Sequence, residues 1–225
     1  MRVLTWNLFH GRSRPPAGRE LRDEFAALLA GWSWDVAMLQ EVPPWWSPHL
    51  ARACAAEHRT ALTSRNSLLP LRRALARRLP DLAKSNGGGA NALLARAPVD
   101  AARAVRLRTW PERRVAQIAT LAGGTVVANF HASTRVPLAE QELARMAEIT
   151  LDCAGGAPVV LGGDLNLRAP RAPSPLRHVA ARDVDHLFAA HLRLVGEPRL
   201  HDRRVSSRGQ IVELSDHPPL EVELA

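Results

Sequence analysis

The sequence predicts an α/β fold of stacked layers. Strand-like and helix-like apolar patterns alternate from one end of the 225 residues to the other, and no Pro-, Gly- or Ser-rich linker divides them. A chain of that length can form one large layered domain, so residues 1–225 are read as a single domain.

The elements follow in order. Val3-Leu4-Thr5 predicts a first strand that ends at Trp6-Asn7, and residues 11–18, rich in Pro and Arg, predict a loop. Leu21, Phe25, Leu28 and Leu29 form one stripe of a helix over 19–32. Residues 36–39 predict a second strand ending at Gln40-Glu41. Pro43-Pro44 then breaks the chain before a helix over 46–57. Leucines 68, 71, 75 and 79 predict a helix over 67–79 with Arg73 and Arg77 on its other side. Residues 85–89 read as a flexible loop leading into a strand over 91–95. Strands over 115–121 and 125–130 are joined by a tight Gly123-Gly124 turn. Pro137 suits the first turn of a helix reaching about Cys153, with Leu143, Met146 and Thr150 on one side. Pro158-Val159-Val160-Leu161 reads as a buried strand, and 183–190 and 220–224 supply the last two strands. Residues 169–175 and 197–209 read as loops.

A formal net charge of +8 and a pI near 11.2 point toward anionic partners. That support is weak, because Lys84 is the only lysine among 30 basic residues and the arginine and alanine content fits a codon bias. Cys54 and Cys153 have neither disulfide-framework nor zinc spacing. The amino terminus lacks a basic segment followed by a long apolar one, and no apolar run approaches the ~20 residues needed to span a bilayer. The expectation is a soluble, cytoplasmic monomer, with secretion by a route lacking a classical signal as the alternative.

The chemistry sits at the strand ends. Gly162-Gly163-Asp164-Leu165-Asn166 delivers a carboxylate and a carboxamide two positions apart, on one side of an extended chain. A carboxylate can take a proton from water, and a neighbouring amide can hold that water. Glu41 is either a turn carboxylate or a hard oxygen ligand for Mg²⁺, with Asp216 a second ligand, direct or through water. Asn7 is poor strand material, so it is a turn residue or a functional one. His131 reads alone as a core histidine, whereas His217 stands in the polar knot Ser215-Asp216-His217 before the last strand. Asp185 either makes a cross-strand charge pair or orients an imidazole.

Together, Trp6-Asn7, Gln40-Glu41, Asn91-Ala92-Leu93-Leu94, Asn129-Phe130-His131, Gly162-Gly163-Asp164-Leu165-Asn166, Val184-Asp185-His186-Leu187-Phe188 and Ser215-Asp216-His217 resemble, in order and context, the endonuclease/exonuclease/phosphatase superfamily of Mg²⁺-dependent phosphoesterases. The resemblance covers essentially the whole chain. It implies a four-layer αββα sandwich, two mixed sheets with helices outside, and a site at one edge. By the same resemblance Glu41 would bind Mg²⁺, or Mn²⁺ in its place, supported by Asn7 and Asp216. Asp164 would align or deprotonate the attacking water, and Asn166 would hold the nucleophile or the phosphate. His217, paired with Asp185, would contact the phosphate oxygens, and His131 would do so from the other side. Arg114 and Asn91 would bind substrate. The absence of tyrosine leaves the active-site tyrosine of abasic-site endonucleases without a counterpart. Gly89-Ala90-Asn91 stands where pancreatic-type deoxyribonucleases place a glutamate, and His186 where an aromatic residue is usual.

The implied activity is a phosphodiesterase with nuclease-like action on DNA or RNA. The alternatives are a phosphatase or phospholipase acting on inositol phosphates, sphingomyelin or other phospholipids, and a catalytically silent binding member. The Arg72-Arg73 and Arg77-Arg78 pairs are either a footprint for a polyanion or a solvated helix face. Trp32, Trp34, Trp45 and Trp46 are either packing residues or a stacking surface for bases.

Overall fold

Strands that are apolar at every position, such as Val36 to Leu39, must be covered on both faces. The computed structural model, which describes residues 1–63, 66–82 and 89–225, covers them by packing sheet on sheet and helices outside. The elements are β1 (Arg2–Asn7), β2 (Ser13–Arg14), α1 (Arg22–Gly31), β3 (Val36–Val42), α2 (Ser47–Ala53), β4 (Glu57–Leu62), α3 (Leu69–Arg78), β5 (Ala90–Ala95), β6 (Val99–Arg108) and β7 (Arg114–Leu121). They continue with β8 (Val126–Asn129), α4 (Val136–Ala154), β9 (Val159–Asp164), β10 (Arg177–Arg182), β11 (Asp185–Ala190), β12 (Leu194–Leu200), β13 (Arg204–Ser207), β14 (Gln210–Leu214) and β15 (Leu220–Leu224).

One sheet runs β12-β15-β1-β3-β5-β4 and the other β10-β11-β9-β8-β7-β6, with β13-β14-β2 as a small third sheet. Each large sheet holds one parallel pair, β1 with β3 and β8 with β9. On the outside of the first sheet, Phe25 and Leu29 of α1 and Leu50 of α2 pack with Leu4, Trp6 and Leu39. Leu143, Met146 and Ala147 of α4 pack with Ala128 and Leu161 of the second. Between the sheets lie Val3, Val36, Met38, Leu93, Val127, Val160 and Leu187. Fully burying a side chain of this kind is worth about 1.5–3 kcal/mol. The four-layer sandwich expected from the sequence is therefore present. No helix among the described residues is long and apolar enough to cross a membrane.

Positions two apart share a strand face, so the rows that face the inter-sheet seam can be followed along each strand. At one end of the sandwich they turn from apolar to polar: Val36-Met38-Gln40, Val127-Asn129, Val160-Gly162-Asp164 and Leu187-Asp185. Along antiparallel β5 and β7 the same end is reached through Leu93-Asn91 and Ala119-Gln117. All of these polar residues are buried. The seam's polar end is the floor of the site.

Several expectations are corrected. Residues 197–209 are not a loop, since β12 and β13 occupy most of that span. The helix expected over 46–57 is the shorter α2, and Glu57 opens β4. The helix with leucines 68, 71, 75 and 79 forms, but α3 buries none of its residues, and Leu68, Leu71 and Leu79 are exposed. Its leucine stripe lacks a core to face. Of the expected loop over 85–89, residues 85–88 lie outside the described residues.

Gly162 and Gly163 show why two glycines precede Asp164. A Cβ on Gly162 would fall 2.2 Å from the His186 carbonyl oxygen, and one on Gly163 would fall 2.1 Å from that of Phe130. Gly163 also has φ 134, a conformation that L side chains rarely adopt. Gly163→Ala is expected to destabilise the fold by about 2–4 kcal/mol, through backbone strain and displacement of a rigid carbonyl. Urea denaturation checks this, and a loss under about 0.5 kcal/mol would refute the close approach.

Candidate active site

The seam's polar end is knitted across the two sheets by carboxamides. Nε2 of Gln40 on β3 donates to Oδ1 of Asn129 on β8 (2.8 Å) and to Oγ1 of Thr5 on β1 (3.2 Å). Nδ2 of Asn129 donates to the carbonyls of Leu39 (3.1 Å) and Ala92 (3.0 Å). Leu39 and Ala92 are the last paired residues of β3 and β5 before a bulge interrupts the register. Within that bulge Glu41 takes φ 51, which turns its carboxylate out of the strand and into a cleft of about 610 Å³.

Asp164 lies at the centre of the cleft. Its Oδ2 accepts from Nδ2 of Asn7 (2.8 Å), and its Oδ1 accepts from the backbone N–H of Asn166 (3.1 Å). Nε2 of His131 lies 3.4 Å from Oδ2, and Nε2 of His217 lies 3.9 Å from the same oxygen. Asn166, at φ 51, donates through Nδ2 to the Ala132 carbonyl (3.0 Å). One carboxylate is thus aimed by two amides and flanked by two imidazoles.

The imidazoles have different surroundings. Nδ1 of His217 lies 2.7 Å from Oδ2 of Asp185. Burial pulls the His217 pKa down, but the hydrogen bond and charge of Asp185 outweigh it and leave the pKa at about 9. Asp185 is itself pushed up to about 6 by burial, against the pull of His217. The pair therefore titrates as a unit, with a proton shared on the His217 side near neutrality. His131 has no such bonded carboxylate. Burial lowers its pKa against the upward pull of Asp164, so its ring is neutral at pH 7.

Two carboxylates suit a divalent metal ion. Oδ1 of Asp216 is buried without a hydrogen-bond partner, while its Oδ2 accepts from Arg14 (2.6 Å). Glu41 has its pKa raised, first by burial, and its carboxylate lies 3.3 Å from Nε2 of His10 and 3.8 Å from Nδ1 of His131. A half-buried carboxylate whose charge burial disfavours, and a carboxylate oxygen without a partner, are what a hard cation with oxygen ligands would stabilise. Asp164, Asp185 and His217 also place one ligand atom each within 4.8 Å of one another. That trio is the poorer fit to a hard cation, because ligation there would expel the proton that joins Asp185 to His217.

Structural straps hold these groups, and sequence reasoning missed most of them. Oγ of Ser215 donates to the Asn7 carbonyl (2.5 Å) and accepts from the His217 N–H (3.1 Å), and Nε1 of Trp6 donates to the His217 carbonyl (2.9 Å). Glu142 of α4, buried, accepts from Ser133 N (2.7 Å), Ser133 Oγ (2.8 Å) and Arg108 Nε (2.7 Å). This fixes the turn whose Ala132 carbonyl holds Asn166. Glu142 carried no signal in the sequence, because one acidic residue on an amphipathic helix is ordinary.

Asn7, Glu41, Arg114, His131, Asp164, Asn166, Asp216 and His217 all line the cleft. Asp185 lies behind His217. Asn91 does not line the cleft; it is buried beneath it, and its Nδ2 donates to the Val115 carbonyl beside Arg114 (2.8 Å). Arg114 is buried and pairs with Glu112. None of Trp32, Trp34, Trp45 and Trp46 lines the cleft. Trp34 and Trp46 are core residues, and Trp32 stacks on His201 with ring centroids 4.5 Å apart. Arg77 of α3 approaches Glu20 (3.6 Å), and Arg73 lies over Trp45 (5.9 Å).

Residues 4–217 match the Endonuclease/Exonuclease/phosphatase family. No curated protein sequence matches. Among solved structures the chain is similar to a mannosyl-6-phosphatase from Bacteroides thetaiotaomicron, with a TM-score of 0.73 at 13% identity over 100% of this chain and 99% of that one. It is also similar to TDP2 from Caenorhabditis elegans, with a TM-score of 0.69 at 17% identity over 99% and 73%. An endonuclease/exonuclease/phosphatase from Beutenbergia cavernae matches with a TM-score of 0.66 at 20% identity over 100% and 71%. At these identities the structural likeness establishes the fold, and the match over nearly the whole sequence establishes the family. The chain belongs to the Endonuclease/Exonuclease/phosphatase family, whose members hydrolyse phosphoester bonds with a divalent metal ion.

Proposed function

We propose that the protein is a Mg²⁺-dependent phosphodiesterase, able to use Mn²⁺, that cleaves nucleic-acid phosphodiester bonds by in-line attack of water. The observation that carries this reading is the convergence of Glu41, Asp216, Asp164, Asn166, His131 and His217 on one cleft. Its volume of about 610 Å³ is far larger than one phosphate group requires, so both arms of a diester fit.

Asp164, aimed by Asn7 and Asn166, holds the attacking water in line with the leaving oxygen. His217, kept protonated by Asp185, donates to a non-bridging phosphate oxygen and stabilises the charge that develops there. His131, neutral, contacts the phosphate from the other side, and Arg114, paired with Glu112, adds N–H donors beside it. A bound Mg²⁺, held by Glu41 and Asp216 with Asn7 nearby, would neutralise charge on the phosphate oxygens. The likeness to a mannosyl-6-phosphatase supports one rival, a phosphomonoesterase, which the same assay separates.

Hydrolysis of bis(p-nitrophenyl) phosphate and nicking of plasmid DNA are expected with Mg²⁺ or Mn²⁺, and EDTA should abolish both. Asp164→Asn and His217→Ala should each lower kcat by about 10²-fold or more while the thermal melt stays in place. Unchanged turnover in both variants would overturn the site assignment, and hydrolysis of p-nitrophenyl phosphate alone would favour the monoesterase.

The imidazoles give a test that needs no turnover. In an NMR titration of the metal-free protein, His217 should stay protonated through neutrality and lose its proton only as pH rises through about 9. His131 should already be neutral at pH 7. The charged pair stabilises the fold below the unfolded imidazole range, and that contribution fades as pH climbs through the folded value. Asp185→Asn should return the His217 pKa toward the ordinary imidazole range. An unshifted His217 would show that Asp185 does not hold its proton.

A further inference from the structure

Residues 9–12 form one wall of the cleft, and the wall carries a cation that has no counter-ion among the described residues. Phe9, His10 and Arg12 all line the cleft. The Arg12 guanidinium lies over the Phe9 ring, 3.9 Å from its centroid. Its Nε and Nη2 are buried and have no hydrogen-bond partner, and among the described residues Arg12 forms no ion pair. Burying N–H donors of a charged group without an acceptor is costly. Of the carboxylates on this side, Glu41 lies 3.3 Å from His10 and Asp216 accepts from Arg14 through Oδ2 alone (2.6 Å), and neither pairs with Arg12.

The wall is built rather than loose. Phe9 and His10 take φ 50 and 54, which few residues other than glycine adopt. Gly11 packs so closely on Trp46 that a Cβ would fall 2.3 Å from the ring. Backbone bonds tie the loop at both ends: Leu8 N–H to the Gln40 carbonyl (2.9 Å), Gly11 N–H to the Leu8 carbonyl (2.8 Å), and Ser215 N–H to the Arg12 carbonyl (2.9 Å). The stack on Phe9 fixes the plane of the guanidinium, so its donors are pre-organised for a planar or tetrahedral anion.

We infer that Arg12 binds a second anionic group of the substrate, so the substrate is a phosphodiester that carries a further phosphate. The inference rests on the phosphodiesterase reading of the cleft. A diester phosphate has a single negative charge. The side chains of His131, Asn166 and His217 already surround the place where it would sit, and Arg114 stands beside it paired with Glu112. Another fixed cation with unused donors in the same cleft calls for another anion. The second phosphate is either the next one along a nucleotide chain or a second group on a small phosphate ester.

Calorimetric titration in the Asp164→Asn background with Mg²⁺ present avoids turnover. Thymidine 3′,5′-bisphosphate is compared with thymidine 5′-monophosphate, and inositol 1,4-bisphosphate with inositol 1-phosphate. At least one bisphosphate should bind about tenfold or more tightly than its monophosphate. Adding Arg12→Gln should reduce that advantage to within about twofold, and Arg12→Lys, which keeps the charge, should retain part of it. An advantage only in the thymidine pair assigns a nucleotide chain, and one only in the inositol pair a small ester; both support the inference. No advantage in either pair, or an advantage that survives Arg12→Gln, overturns it. Should Arg12→Gln melt early, the salt dependence of the parent's advantage decides: a decline with added salt supports an ionic contact and a flat response overturns it. Failed hydrolysis of every diester would sink the phosphodiesterase reading while leaving this titration interpretable. Diester hydrolysis combined with an indifferent Arg12→Gln would sink the inference alone.

Discussion

The bond between Gln40 and Asn129 joins the first sheet to the second at the end where the seam turns polar. Both side chains are fully buried, so each unmade hydrogen bond would carry the desolvation cost of a buried amide, about 1–3 kcal/mol. Asn129 has no freedom to search for substitutes, because its amide also supports the Leu39 and Ala92 carbonyls at the bulge. Glu41 comes from the first sheet, whereas His131 and Asp164 come from the second. Apolar side chains between the sheets supply most of the burial but tolerate small slides. The carboxamide bonds are directional and do not, so they set how far Glu41 stands from Asp164.

That fixed frame accommodates strain where the chemistry is placed. Glu41, Asn166 and Ser215 have φ of 51, 51 and 66, and Phe9 and His10 lie in the same left-handed region. Such conformations cost on the order of 1–3 kcal/mol each in a non-glycine residue unless the surroundings over-determine them. Here the surroundings do so: the bulge at Glu41, the Ala132 carbonyl at Asn166, and the bonds from Ser215 to Asn7 and His217. Glu142 belongs to the same logic at one remove, since it locks the Ser133 turn that presents Ala132. Strain and straps occur together because neither a relaxed strand nor a free loop would hold these side chains at one point.

The strands legible in the sequence are β1, β3, β5, β7, β8, β9, β11 and β15, the interior members of the two large sheets. The four strands of those two sheets that escaped, β4, β6, β10 and β12, are their four edges, and the small third sheet β13-β14-β2 escaped as well. An edge strand has one ladder partner and wide exposure, so polar residues suit it and the apolar run disappears. The exposed pattern of Leu194–Leu200 shows the effect. The α3 leucines mislead in the opposite direction, because periodicity reports an apolar stripe without saying whether anything covers it. Site residues at strand ends were legible because a carboxylate or carboxamide is conspicuous after an apolar run. The bond from Gln40 to Asn129 spans 89 positions, and no local pattern reports a contact of that range. Arg12 was hidden by its neighbours, one arginine in a loop rich in them.

Two histidines of one residue type do different work because their neighbours differ. His217 has a buried carboxylate at 2.7 Å, and the bond outweighs the desolvation of its charge. His131 meets carboxylates only at 3.4 and 3.8 Å, so desolvation wins. If His131 were charged as well, two imidazolium rings would flank Asp164. If Asp185 were moved to the solvent side, His217 would lose the partner that fixes its ring and favours its charge. The asymmetry therefore depends on where β11 begins. Asp185 is its first residue, paired in register with Asp164 across the β9–β11 ladder, and a one-residue slip would turn its carboxylate to the other face of the sheet. Register, set by the apolar rows between the sheets, is what makes His217 differ from His131.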